Sequence, residues 1–345
     1  MSVMWHEIFE QPQALARTFK AERAHAEEFA KLARKKKFRL IVLVARGTSD
    51  NAARFGRYLL EVTTGIPCSL SAPSVHTLYH ARLDLRQALV VGISQSGEGA
   101  DVNLVLKSAR RDGAFTMGIT NERGSTMARL VDEVFLVHAG KQHTVAATKT
   151  YTGQLLAFYL LAAALGSHIT LETVSEIPGR VKETLRLDDE IRALVERYRY
   201  MRQCVVVSRG VNYANAYEFA LKLIETCYVL AGRLSAADLM HGPIALIEGG
   251  FPVFVLMPPG KVFQTLKSLV ERLVSLQAEA VVFTSEGAHL PAGVSRAIRL
   301  PGEIAELYTP IPYIVPGQLF AAHLAEAKGL NPDKPRGLQI VTRTV

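Results

Sequence analysis

Ala88-Leu-Val-Val-Gly-Ile-Ser-Gln-Ser-Gly-Glu-Gly-Ala-Asp101 is the stretch whose reading decides the fold. Residues 88–93 form a short apolar run of the kind that makes a strand buried on both faces. Ser94-Gln-Ser-Gly-Glu-Gly99 ends the run, and Val102, Leu104, Val105 and Ala109 then recur at helical spacing between Asp101 and Arg110. Hydroxyls and backbone N–H groups therefore fall where a strand hands over to a helix N-terminus. Such a place favours an anion, because first-turn N–H groups lack intrahelical partners and the helix dipole is positive there. Ser94 and Ser96 can each donate to a phosphate oxygen, and Gly97 and Gly99 let the backbone come close. No Lys-Ser/Thr follows the last glycine, so a Walker A loop and a nucleoside triphosphate are not implied. On the loop alone, an anion seat and an ordinary Ser/Gly turn both remain open.

Outward from this stretch, strands and helices alternate. Residues 6–36 read as one long polar-faced helix, Arg39–Ala45 as a buried strand, and Arg46-Gly-Thr-Ser-Asp-Asn51 as a second hydroxyl-bearing turn into a helix. Strands at 68–71, 115–119 and 133–137 and a helix at 147–165 complete a first unit, so a parallel sheet covered on both faces is expected. Residues 168–200 are charged and helical in pattern and read as a connector. A second α/β unit opens at Cys204-Val-Val-Val-Ser208 and repeats the first weakly. Glu61 lies fifteen residues after Arg46-Gly47 begins, and Glu225 sixteen after Arg209-Gly210 begins. The repeat fails at the loop, because the strand at Pro252–Met257 runs into Pro258-Pro-Gly260 without serines. The expected organisation is an N-terminal helix (1–36), a first domain with the phosphate loop (37–167), the connector (168–200) and a second domain with the C-terminal tail (201–345).

A chain of 345 residues, 49% hydrophobic and 21% charged, has the composition of a soluble globular protein and is long enough for two domains. Its net charge of +8 is scattered, and the one dense run, Arg34-Lys-Lys-Lys37, ends a helix, where cations suit the dipole. No nucleic-acid partner is therefore expected, although a positive field suits small phosphorylated substrates. Cys68, Cys204 and Cys227 are far apart and read as buried thiols in a reducing compartment. There is no signal-peptide pattern and no apolar run of membrane-spanning length, so no membrane partner and a cytoplasmic location are expected.

In the second unit, Lys222 and Glu225 are three apart on one helix face, where the cation helps to keep the carboxylate ionised. His241 follows in Asp238-Leu-Met-His-Gly-Pro243. A base and a proton carrier beside a phosphate loop suit proton transfer next to a sugar carbonyl; a surface ion pair and a plain loop histidine are the alternative. His76 and His80, four apart on an expected helix, read as a solvated face rather than a zinc pair. No nucleophile elbow and no dinucleotide fingerprint is present, so neither a metal nor another cofactor is expected.

Gly47-Thr-Ser49, Ser94-Gln-Ser-Gly-Glu98, Val145-Ala-Ala-Thr-Lys149, Ala220-Leu-Lys-Leu-Ile-Glu225, His241-Gly-Pro243 and Pro335-Arg336 occur in an order and spacing that resembles tandem sugar-isomerase (SIS) domains. The resemblance extends to the isomerase half of glucosamine-6-phosphate synthases and to free-standing deaminases and deglycases, and it covers nearly the entire chain. It implies an α/β fold of two SIS domains, each a flavodoxin-like parallel sheet between helical layers. It implies a phosphate cradle of Ser49, Ser94, Gln95 and Ser96, with sugar contacts from Thr48, Val145 and Ala147. Glu225 matches the residue that moves a proton between C1 and C2, with Lys222 beside the substrate. His241 matches the ring-opening histidine that reaches into the partner subunit's pocket, so a homodimer is implied. Three departures stand out: Gly99 replaces a phosphate-binding threonine, Ala147 a serine, and Ile340 the tail lysine, for which Lys334 is a candidate substitute. The chain carries no glutaminase region, so glutamine-dependent synthesis is not expected of it alone. The expected activity is deamination or isomerisation of an amino-hexose 6-phosphate towards fructose 6-phosphate. A fructosamine-6-phosphate deglycase and a non-catalytic sugar-phosphate sensor are the alternatives.

Overall fold

The computed structural model describes residues 1–338, and within them the chain forms two five-stranded sheets. Helices α1 (Val3–Phe9) and α2 (Gln11–Lys36) precede the first sheet. That sheet holds β1 (Leu40–Val44), β2 (Cys68–Leu70), β3 (Ala88–Ile93), β4 (Phe115–Thr120) and β5 (Glu133–Leu136). Between and after them run α3 (Gly47–Thr64), α4 (Ser74–Thr77), α5 (Ala100–Arg111), α6 (Thr126–Leu130) and α7 (Lys149–Ala164). Helices α8 (Leu171–Thr184) and α9 (Asp188–Val195) follow. The second sheet holds β6 (Gln203–Ser208), β7 (Leu230–Ser235), β8 (Pro252–Met257), β9 (Glu279–Ser285) and β10 (Arg296–Leu300). Its helices are α10 (Tyr213–Cys227), α11 (Ala236–Met240), α12 (Phe263–Ser275) and α13 (Pro310–Ala327).

Every pairing is parallel, in the orders β2-β1-β3-β4-β5 and β7-β6-β8-β9-β10. The two sheets thus share one strand order, the doubly wound arrangement with a switch point between its first and third strands. All six residues of β3 are buried, as a central strand with helices on both faces requires. Helix α7 is buried over nearly its whole length and packs against α2 and α3, with Phe158 and Tyr159 against Phe55.

The chain divides into two compact units, one built on residues 10–178 and one on residues 1–9 with 179–336. Both dividing points differ from the expected outline. The expected single helix over 6–36 is two helices, broken at Glu10. Pro12 sits in the first turn of α2, where its missing N–H costs nothing, whereas deeper in a continuous helix its ring would clash with a carbonyl. Helix α1 belongs with the second sheet: the Val3 and Met4 N–H groups each donate to the Asp333 carboxylate at 2.8 Å, and Trp5 Nε1 donates to Asp188 at 3.0 Å. Within 168–200, the division falls inside α8, between Pro178 and Gly179.

His76 and His80 do not share a helix face. His76 is 5% exposed within α4, and burial lowers its pKa; His80 lies beyond the helix end at φ +51°. All three cysteines are free and buried, and burial pushes the Cys68 and Cys227 thiols up to about 12. No helix among the described residues is long and apolar enough to cross a membrane.

Candidate functional site

In the first unit, the switch point lies where β1 and β3 end side by side. Arg46, extended at φ −140°, leads into Gly47 at φ +55°, and the chain turns at once into α3. Arg46 Nε donates to Asp101 Oδ2 at 2.5 Å, which ties the start of α3 to the first turn of α5. Thr48 is half-buried; Ser49 is buried, and its Oγ accepts from Gln154 Nε2 of α7 at 3.0 Å.

The loop after β3 folds on its own serines. Ser94 Oγ accepts the Gly97 N–H at 3.1 Å and Ser96 Oγ the Glu98 N–H at 3.2 Å. A hydroxyl that accepts keeps its own hydrogen to donate, so both serines remain donors to an anion in the loop. Gly97 is required: it sits at φ +65°, and a Cβ there would overlap the Ser125 side chain. Glu98, the one acid of the loop, takes the Thr126 N–H at 2.8 Å and the Thr126 hydroxyl at 2.7 Å. These bonds hold its carboxyl below the usual range and aim the charge at the N-terminus of α6 rather than into the loop. Ser94, Gln95 and Ser96 are half-buried. Val145 and Ala147, also half-buried, lie on the segment between β5 and α7 that is fixed by the Thr144 hydroxyl on the Ala146 carbonyl at 3.1 Å.

In the second unit, α10 carries an acid-base-acid series. Lys222 Nζ is 2.7 Å from Glu225 Oε2 and 3.4 Å from Glu218 Oε1. The Lys222 and Glu218 side chains are fully buried, whereas Glu225 keeps 20% of its side chain exposed. Burial works against the ammonium, but the two carboxylates outweigh it and raise the Lys222 pKa. Of the two carboxylates beside Lys222, Glu225 is the one with an exposed edge. Sequence reasoning passed over Glu218, although its position four residues before Lys222 on the same apolar helix was a readable signal. It also passed over Asp101 and Gln154, which position the first-unit turns.

His241 follows α11, is exposed, and its side chain makes no hydrogen bond or ion pair among the described residues. Gly242 after it takes φ +129°, a conformation closed to other residues. In the tail, Arg336 stacks 4.0 Å over the Tyr228 ring and its N–H donates to the Tyr228 hydroxyl at 2.9 Å. Ile340 lies outside the described residues. The structure gathers Thr48, Ser49 and Ser94–Ser96 on the ends of β1 and β3 of one unit, and Lys222 and Glu225 on α10 of the other.

A family model for the SIS domain matches residues 32–164 and 199–325. The chain is 38% identical over 342 residues to the glutamine–fructose-6-phosphate aminotransferase (isomerizing) of Pyrococcus horikoshii, covering 97% of this chain and 56% of that protein. It therefore spans little more than half of that relative's length. Among solved structures, the C-terminal domain of glucosamine-fructose-6-phosphate aminotransferase from Francisella tularensis superposes with a TM-score of 0.88 at 28% identity, covering 97% of this chain and 98% of that one. A glucosamine-6-phosphate deaminase from Thermotoga maritima shares the fold, with a TM-score of 0.82 at 23% identity over 99% of this chain and all of that one. Two matched segments, each containing one of two parallel sheets of the same strand order, place the chain in the SIS domain family.

Proposed function

We propose that the protein binds an amino-hexose 6-phosphate and converts it towards fructose 6-phosphate, releasing its amine. The observation that carries this reading is the Glu225 carboxylate, 2.7 Å from the buried Lys222 ammonium and open to solvent on one edge. Such a carboxylate is a base that can take a proton from carbon and return it to the neighbouring one. The serine-lined turns supply donors suited to the phosphate. In the proposed sequence His241 moves the proton that opens the sugar ring, and Glu225 carries a proton from C2 to C1, converting the amine-bearing C2 to an imine. Water then adds to the C2 imine, and ammonia leaves.

His241 is proposed to act in the pocket of a second copy, so the working form would be a homodimer. Thr48, Val145 and Ala147 would contact the sugar, and Gln95 the phosphate alongside Ser49, Ser94 and Ser96. A second reading, a sensor that binds without turnover, is favoured by Ile340 where the family pattern has lysine.

The test is a coupled ammonia assay with glucosamine 6-phosphate, run beside solvent-deuterium exchange at C1 and C2. Turnover is expected, falling by about two to four orders of magnitude in Glu225→Gln. Binding without ammonia or exchange, in wild type and Ile340→Lys alike, would favour the sensor. Release of an amino acid from a fructosamine 6-phosphate, but no ammonia, would favour the deglycase.

A further inference from the structure

The second unit repeats the backbone of the first at its switch point but not its chemistry. Arg209 is extended at φ −151°, ψ 158° and Gly210 turns to φ +64°, as Arg46 does at φ −140°, ψ 152° and Gly47 at φ +55°. β6 lies beside β8 as β1 lies beside β3, and the turn after β8 carries Gly260 at φ +107°. What differs is the space above the glycines. A Cβ built on Gly47 meets no atom within 4 Å, whereas one on Gly210 meets Val262 at 2.9 Å and Glu306 Oε1 at 3.4 Å. A Cβ on Gly260 would press on Glu306, whose own Cβ would be 2.7 Å away. Glu306 Oε2 also accepts the Lys261 N–H, just ahead of α12. One carboxylate thus faces both turns, an oxygen to each, and takes a backbone N–H where a strand passes into a helix. Those are the contacts an anion makes at a switch point.

We propose that Glu306 fills the anion seat of the second unit with its own carboxylate, and that it is the residue restricting this chain to a single phosphate site. Two further features suggest that the seat borders a ligand space rather than packed core. A cavity of about 900 Å³ at the same sheet edge is lined by Gly260, Lys267, Ser285, His289 and Glu303 among others, which is room for a sugar phosphate. A smaller cavity shares Pro259, Ser285 and Ile304 with it and is lined by Tyr313, 2% exposed, whose hydroxyl lies beside the Ser285 side chain. With the carboxylate gone, the seat would open at Gly260, which also lines the cavity that holds Lys267, and take a small phosphorylated molecule.

The word "single" rests on the preceding reading of Ser94 and Ser96 as the phosphate seat, so the experiment separates the two ideas. In the full chain carrying Ser94→Ala and Ser96→Ala, inorganic phosphate is titrated by calorimetry and by amide NMR. Adding Glu306→Ala is expected to raise phosphate affinity by about tenfold or more over that background, with shifts centred on the amides of 209–212 and 258–263. A folded Glu306→Ala protein in which phosphate leaves those amides unmoved overturns the proposal. Should that variant not fold, Glu306→Gln keeps the volume and an acceptor for Lys261 while removing the charge. The same amides are then expected to move at higher phosphate, and unmoved amides again overturn it. Phosphate that still binds to the first-unit turns of the Ser94/Ser96 variant counts against the first-unit reading, and the 258–263 amides decide this one independently.

Discussion

Replacing Lys222 by Met is the sharpest test of the charge arrangement on α10. The side chains are similar in volume, so the change removes an ammonium and little else. Its Nζ stands 3.4 Å from Glu218 Oε1, and both side chains are fully buried, so Glu218 loses its counter-charge where water does not replace it. Removing one partner of a buried pair costs about 3–5 kcal/mol. Glu225, at 20% exposure, can be hydrated and adds little to that loss. Neutralising that buried acid as well, in Lys222→Met/Glu218→Gln, should therefore recover on the order of 2 kcal/mol, a non-additivity expected of touching groups.

The pH dependence has a definite sign. Without Lys222, burial works against the charged form of Glu218, so the deficit is expected to shrink as falling pH protonates the carboxylate. Trp5, the only tryptophan, donates to Asp188 within the same unit and reports its urea unfolding by fluorescence. A deficit below about 1 kcal/mol, a double variant no more stable than the single one, or a deficit that grows on acidification would refute the reasoning.

Other expectations follow from the same geometry. Ser94→Ala/Ser96→Ala should weaken sugar-phosphate binding by roughly 3 kcal/mol or more in calorimetry, since two charge-assisted bonds are lost while the fold is kept; unchanged affinity would remove these serines from the site. Gly97→Ala should destabilise the first unit by about 2–4 kcal/mol, from the left-handed backbone and the overlap with Ser125, as read in a thermal melt. His25 bonds Glu22 at 3.0 Å and Glu133 at 2.9 Å, and chiefly the Glu22 bond raises its pKa to about 9. The raised pKa means stability fully present below about pH 6.5 and lost as pH rises through about 9, so the melting-point gap between wild type and His25→Gln should close at alkaline pH. Mixing Glu225→Gln with His241→Ala should restore part of the activity if His241 serves a second copy; no recovery after confirmed subunit exchange would place both roles in one chain.

The central strand, its serine turn and the helix after it were legible because a strand buried on both faces writes an uninterrupted apolar run. The bounds expected for that strand, 88–93, are those observed, and the helix extends one residue further at each end than its pattern suggested. The break at Glu10 was hidden because the polar-faced periodicity runs on through it, and Pro12 was its only mark. The burial of His76 could not be read from a spacing of four, because its helix ends at Thr77. Glu306 was invisible for another reason: its carboxylate reaches Lys261, 45 residues away in sequence, through tertiary structure alone. The role of Glu218 lay within reach, four residues before Lys222, which the sequence already singles out.

Helix α7 carries a consequence for where this protein can be cut. The SIS match begins at residue 32, yet α2, which shields α7, begins at Gln11, and Lys149 at the start of α7 pairs with Glu10 at 2.6 Å. A fragment trimmed to the matched segment would lose the part of α2 before residue 32, and α7, against which α2 packs, has almost no polar face to turn outward. A piece begun at Glu10 keeps that cover and matches the start of the compact unit. The folding unit is thus longer than the matched segment, and α2 is part of it.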